Sequence, residues 1–396
     1  MAVFALNGFL AAMWVANIPA ITEHTGTGHE QLGILLLVLG GAAFLGMQVS
    51  GRLIDRSGSR PASIGAAALL CAVIVGPAVA DSTLTLGFAL AGFGFINGGI
   101  DVAMNSQAVE VERAYGRPIM SAFHGFFSIG GLVGSGVVAA TLWADIGVPA
   151  TVVGAAIFGM VVLAVAATGL VGPDYGTPQA AAPHSRRAGA ARTGREKWWH
   201  GVDLRRLTIL AVVAFVAMLA EGTAYDWSAL QVVQSFGTDD AVGAIAFGCF
   251  SAAMTVARFT IDPIAAAVGP VAVVRWGALI GILGMTVAIT APSAILAIAG
   301  WTVFGIGLAG LVPQIFTAAG NLTERSSGRV ISMVVGCGYL GMLAGPAMVG
   351  FLSARTSLDV GLTPVLAGLV LALLTARVMR PASAHTTVGT VGPVPH

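Results

Sequence analysis

Charge is what this chain has least of. Only 9% of its 396 residues are Asp, Glu, Lys or Arg, while 56% are hydrophobic; an ordinary soluble domain is about 25% charged. So much apolar surface cannot be hidden in one aqueous core, which leaves a lipid bilayer as the solvent. Cysteine is nearly missing: Cys71, Cys249 and Cys337 all sit in apolar runs, so buried inert thiols are expected rather than a disulfide framework. No G-x-x-x-x-G-K-[ST] loop occurs, which removes an ATP engine of that type. No His/Asp/Glu or Cys/His cluster has metal-ligand spacing, so neither a metal, a cofactor nor a membrane enzyme is expected, and no nucleic-acid partner. The first apolar run begins almost at Met1 without a basic flank or a small-residue cleavage site, and reads as a retained span rather than a signal peptide.

What is abundant is glycine, 54 residues, which suits close helix contact in lipid, together with long apolar runs. A helix needs about 20 apolar residues to cross the hydrocarbon. Twelve such segments are expected, at 3–22, 31–51, 62–80, 84–108, 119–143, 148–171, 207–234, 241–261, 270–291, 294–319, 329–354 and 360–379. Positive residues stay on the cytoplasmic side. With both termini there, eighteen of the nineteen basic residues, Arg258 included, fall in inner turns, the central linker or the tail, and only Arg355 falls outside. Gaining or losing one span would scramble that asymmetry.

The chain repeats itself. Glu112-Arg113-Ala114-Tyr115-Gly116-Arg117 returns as Glu324-Arg325-Ser326-Ser327-Gly328-Arg329, and Asn7-Gly8 followed by Trp14 returns as Glu221-Gly222 followed by Trp227. Pro173–Leu204, rich in Ala, Arg, Pro and Gly, reads as a cytoplasmic linker. The expected organisation is an all-α integral membrane protein in two pseudo-symmetric six-helix bundles, 1–172 and 205–381. A linker, 173–204, joins them and a cytoplasmic tail, 382–396, follows. Two such halves imply a pseudo-two-fold axis along the membrane normal and a substrate path between them.

Gly51-Arg52-Leu53-Ile54-Asp55-Arg56-Ser57-Gly58-Ser59-Arg60-Pro61 resembles the signature turn of the major facilitator superfamily, G-x-L-x-D-R-x-G-R-R. A-E-G-x-x-x-D-W at Ala220–Trp227 and D-V-A-M-N at Asp101–Asn105 resemble the bacterial branch near the fucose:proton symporters and sugar permeases. The resemblance implies alternating access, with spans one, four, seven and ten lining a central cavity. Gly51 and Gly58 permit close approach and a tight reversal, and Asp55 can pair with arginines or face the positive end of a neighbouring helix. With Arg56, Arg60, Glu112, Arg117, Glu324 and Arg329 it forms the expected inner gate.

Three carboxylates fall inside spans: Asp101, Glu221 and Asp226. An ionised group at mid-membrane costs about 2.5–3.5 kcal/mol on insertion scales, so such residues face a cavity or a partner. Asp101, paired with His124 at similar depth, or Glu221 is the expected proton carrier. Asn7, Trp14, Asn17, Asn97, Asn105, Tyr225, Trp227, Gln231 and Gln314 supply amides, indoles and a phenol for a hydroxylated ligand. With no basic residue expected at mid-span, a strongly anionic substrate is disfavoured. Gly130/Gly134 and Gly341/Gly345 are small-xxx-small spacings for tight packing. The leading expectation is a monomeric, proton-coupled symporter of a sugar-like solute in the bacterial inner membrane. An exporter of a hydrophobic compound and a non-transporting membrane sensor are the alternatives.

Overall fold

The computed structural model describes residues 1–170, 202–323 and 327–380, so the expected tail and all but the last three residues of the expected linker lie outside the described residues. The rest is helical: α1 (Ala2–Val15), α2 (Ile18–Thr25), α3 (His29–Ser57), α4 (Ser59–Val73), α5 (Val75–Ala78), α6 (Thr83–Tyr115), α7 (Met120–Trp143) and α8 (Val148–Thr168) come first. Then follow α9 (Leu204–Phe236), α10 (Asp240–Val268), α11 (Pro270–Thr290), α12 (Ala294–Leu308), α13 (Leu311–Gly320), α14 (Ser327–Ser353), α15 (Leu358–Gly361) and α16 (Thr363–Thr375). Among the described residues no strand forms, and eleven helical segments are long and apolar enough to cross a membrane. Counting the bent pair α1 and α2 as one span gives twelve.

Three spans are broken where local chemistry breaks them. Between α1 and α2 the axis bends by 41°, just before Pro19, which has no N–H to continue a helix. There the Asn17 backbone N–H turns to the Trp14 carbonyl, and the Asn17 side-chain amide takes over the vacated Met13 carbonyl at 2.8 Å. The α4/α5 break precedes Pro77 and the α12/α13 break precedes Pro313.

Helix pairing repeats with an offset of six spans. α1 packs on α7 as α9 packs on α14; α3 on α6 as α10 on α12; α4 on α6 as α11 on α12. Glycines set the closest of these contacts. A methyl group on Gly130 would overlap the Ala5 carbonyl, and one on Gly341 the Phe215 carbonyl; Gly8 and Gly222 hold equivalent positions against Phe127 and Met342. The echo between Asn7-Gly8 and Glu221-Gly222 is therefore spatial as well as sequential.

Across the seam between the two halves, α3 lies on α14 and α7 on α10. The named contacts run from the face carrying the turns at 57–59, 116–119, Gly269 and 321–323, here the basic face, up to mid-membrane. On the opposite face, α2 packs on α6 of its own half, and α15 on α9, α11, α14 and α16 of its own half. The named contacts between the halves are thus concentrated toward the basic side, where a cavity of about 860 Å³ is lined by Phe4, Met104, Ala108, Phe123, Phe259 and Asp262. On that opposite face, Asp81 accepts the Thr85 and Ser82 hydroxyls, which hold its carboxyl below the usual range.

Candidate functional site

Two polar layers lie at the seam. The first is built on α6. Asp101 stands 14 residues before the helix ends at Tyr115, about 21 Å from the basic face at ~1.5 Å per residue. It is 7% exposed, and among the described residues it forms no ion pair. The Asn105 amide donates to the Asp101 carbonyl at 2.8 Å and lies 3.4 Å from Oδ1. From the other half, the Tyr339 hydroxyl on α14 lies near the same carboxyl, whose Oδ2 has no hydrogen-bond partner among the described residues. Asn7 on α1 sits beside this layer, its amide 3.6 Å from Met104 Sδ.

The second layer is built on α9 and α10. Arg258, ten residues before α10 ends, is buried and donates from Nη2 to Glu221 Oε1 at 3.0 Å. Its Nη1 crosses the seam to Ser128 Oγ on α7 at 2.8 Å, and the Ser128 hydroxyl in turn donates to the His124 carbonyl. His124 itself lies between Phe4 and Phe316, with ring centroids at 5.5 and 5.8 Å, and within electrostatic range of Arg258.

This corrects two expectations. Arg258 does not belong to an inner turn: hydropathy falls near residue 261, but the Ala-rich stretch after Pro263 continues the helix to Val268. The membrane interior therefore does hold a cation, and the reason for disfavouring an anionic substrate disappears. The expected Asp101–His124 pair does not form either. Asp101 lies near Tyr339, and His124 sits against aromatic rings beside Arg258.

The expected substrate residues divide. Asn7, Asn97 and Asn105 each bury an amide oxygen with no partner, as ligand-binding groups would. Tyr225 is 41% exposed, stacked near Phe247 and Phe250, and Asp226 beside it is exposed; both stand about one turn above Glu221, away from the basic face. Trp227 is half-buried, with its indole N–H unpartnered and its ring near Gly350. Gln314 and Trp14 are buried. Asn17 uses its amide nitrogen at the span-one break. Gln231 is committed to packing: it donates to the Ala288 carbonyl and to Asp359, and accepts from the Trp301 indole.

At the basic face, Asp55 accepts from the Gly328 backbone N–H at 3.1 Å and faces Arg329 Nε at 3.2 Å. Gly51 leaves room for this approach, since a Cβ there would lie 2.9 Å from the Gly328 carbonyl oxygen. Gly58, at φ +87°, makes the reversal into α4. The mirror-related contact was not foreseen: Asp262 on α10 accepts from Ser121 N and Ala122 N at the start of α7, at 2.9 and 2.7 Å. Each half thus places a carboxylate on the positive helix start of the other. Glu112 accepts from Ile119 N and Met120 N at 2.8 Å and from the Thr317 hydroxyl at 2.9 Å across the seam. Arg113, rather than Arg117, bridges to Asn321 and the Gly320 carbonyl; Arg117 stays on its own turn with Tyr115. Arg60 reaches the Ala167 carbonyl at 3.3 Å, Arg56 is exposed, and Glu324 lies outside the described residues.

Buried charges at a seam latched on its basic side, inside a bundle of up to twelve spans, fit a membrane transporter. No protein-family model matches the chain. An uncharacterized MFS-type transporter of Yersinia pestis is 34% identical over 357 residues, covering 90% of this chain and 88% of that protein. An uncharacterized transporter of Sinorhizobium fredii is 30% identical over 359 residues, 90% of each. Among solved structures, the E. coli fucose:proton symporter FucP matches at a TM-score of 0.78, over 96% of this chain and 97% of its own, with 13% identity. The proton:xylose symporter XylE matches at 0.73, over 96% and 93%, also with 13% identity. The chain belongs to the major facilitator superfamily, as the turn at Gly51–Pro61 had suggested.

Proposed function

We propose that the protein couples the entry of a small polar solute to that of a proton, with Asp101 as the proton carrier. The observation that carries this reading is the placement of Asp101. It is a buried carboxyl on one half with no cation beside it among the described residues, and it lies near a phenol on the other half. Ionised, Asp101 accepts from Tyr339 and draws α6 and α14 together; protonated, it needs no such donor and costs less to bury. A proton therefore changes the energy of the seam itself, which is what coupling requires.

The basic face is cytoplasmic in this reading, by the placement of the arginines, and the conformation is outward-facing. Both termini are cytoplasmic, in a bacterial inner membrane, and the protein works as a monomer. The moving bodies are the six-span halves, 1–172 and 205–381, joined by the linker 173–204. The unpartnered amide oxygens of Asn7, Asn97 and Asn105, with the exposed phenol of Tyr225, suit a hydroxylated solute whose O–H groups donate to them.

The test is uptake by proteoliposomes under an imposed inward proton gradient, across a panel of labelled sugars and sugar acids. Wild type accumulates its solute. Asp101→Asn loses accumulation but keeps solute counterflow, which needs no proton cycle. Full accumulation by Asp101→Asn would remove the proton role from this residue.

A further inference from the structure

We infer that Arg258 is a binding site for a carboxylate on the transported solute, and that Glu221 holds its place while the site is empty. The inference rests on the transport reading above for its purpose, but its chemistry stands on the Arg258 geometry alone.

A guanidinium presents two parallel N–H bonds along its Nε/Nη2 edge, the fork that matches both oxygens of a carboxylate. In Arg258 that edge is only half used. Nη2 donates to Glu221 Oε1, while Nε is buried with no partner among the described residues, on a side chain only 6% exposed. A buried N–H left unsatisfied is destabilising, so a permanent structural pair would use both positions. His124 Nε2, close to the same cation, is a second buried group without a partner. Above Glu221 the next turn of α9 is not sealed, since Tyr225 and Asp226 are exposed. An incoming carboxylate that engages Nε and Nη2 together replaces a one-point contact with a two-point one.

The exchange carries a proton with it. Arg258 can be balanced by one carboxylate at a time in a site this dry. The other groups facing Glu221 are the phenols of Tyr225 and Tyr339, and neither supplies positive charge. Once displaced, Glu221 is left without its cation and takes up one proton from solution. No covalent bond forms or breaks other than that O–H. Because Nη1 holds Ser128 on the opposite half, the exchange takes place at the seam and can be felt by both halves.

The test uses Glu221→Gln, which keeps the shape of the side chain and removes its charge, with acetate as the probe. In purified protein at pH 7.5, acetate should raise the melting midpoint of Glu221→Gln saturably and at least tenfold more tightly than in wild type. Acetamide and chloride should not do so, and Glu221→Gln/Arg258→Gln should not respond. Wild type in weakly buffered detergent should take up about one proton per acetate bound, and this serves as the test if Glu221→Gln does not fold. No acetate response in the variant, an equal response to chloride, or acetate binding to wild type without proton uptake would each overturn the assignment. Adding Asp101→Asn should leave acetate binding intact, so failure of the Asp101 proton role and failure of this site give different results.

Discussion

Asp101 and Arg258 are the two residues whose burial in lipid demands an explanation, and they differ in kind. Arg258 is balanced by Glu221, and losing one partner of a buried pair costs about 3–5 kcal/mol. Arg258→Met should therefore lower the melting midpoint clearly, and Arg258→Met/Glu221→Met should recover most of the loss; a double variant no better than the single one would show that the pair is not self-contained. Asp101 has no cation to lose. Tyr339→Phe should leave stability within about 1 kcal/mol of wild type, since it removes a single hydroxyl near the carboxyl, while shifting the pH dependence of uptake; an unchanged pH profile would detach Tyr339 from coupling. Asp101 and Glu221 were legible in the sequence as carboxylates inside apolar runs. Arg258 was not, because window hydropathy ends a span where polar residues begin, whereas an alanine-rich helix continues for as long as its backbone bonds can form. Tyr339 was also missed: one phenol in an apolar run gives no signal until the fold brings α14 across from α6.

At the scale of the helix, glycine decides what can pack. Gly130 and Gly341 hold equivalent places in the α1/α7 and α9/α14 pairs, each against a backbone carbonyl. Neither contact can yield by moving a side chain. Gly130→Leu or Gly341→Leu should force its pair apart and cost about 1–3 kcal/mol or more, read as a lower melting midpoint, whereas Gly136→Leu on the same α7, where nothing lies within 4 Å, should be neutral. Equal effects at Gly130 and Gly136 would mean that helix propensity, not packing, is being measured. These small-xxx-small spacings were readable in advance, because close packing in lipid selects small residues at four-residue intervals. The breaks at Asn17 and Ala309–Gly310 were not: a proline marks a weak point but does not say whether neighbouring helices will let the axis bend.

For the whole molecule, the latch at the basic face is paired. Asp55 and Asp262 each bind the helix start opposite, α14 and α7, and Glu112 adds a contact between them. The signature turn made the first visible. The second half keeps Arg258 and Asp262, with Pro263 and alanines where the rest of the motif would stand, so the aspartate was visible as a remnant of the turn while its partners on α7 were not. Asp55→Asn and Asp262→Asn should each open the basic face partially, and together more than either, measured as alkylation of a single cysteine placed at Ser332 in a background without Cys71, Cys249 and Cys337. If only Asp55 mattered, the pairing of the two latches would carry no weight.

The central claim is that the charge on Asp101 sets the separation of the two halves. Pulsed electron–electron resonance between spin labels at Thr27 and Ser357, on the face opposite the basic one, reads this directly. With Asp101 ionised the distance should be long. Asp101→Asn, a stand-in for the protonated state, should move the population toward the shorter distance that acid produces in wild type, and should abolish any further change with pH. A distance that still responds to pH in Asp101→Asn as it does in wild type would contradict the account.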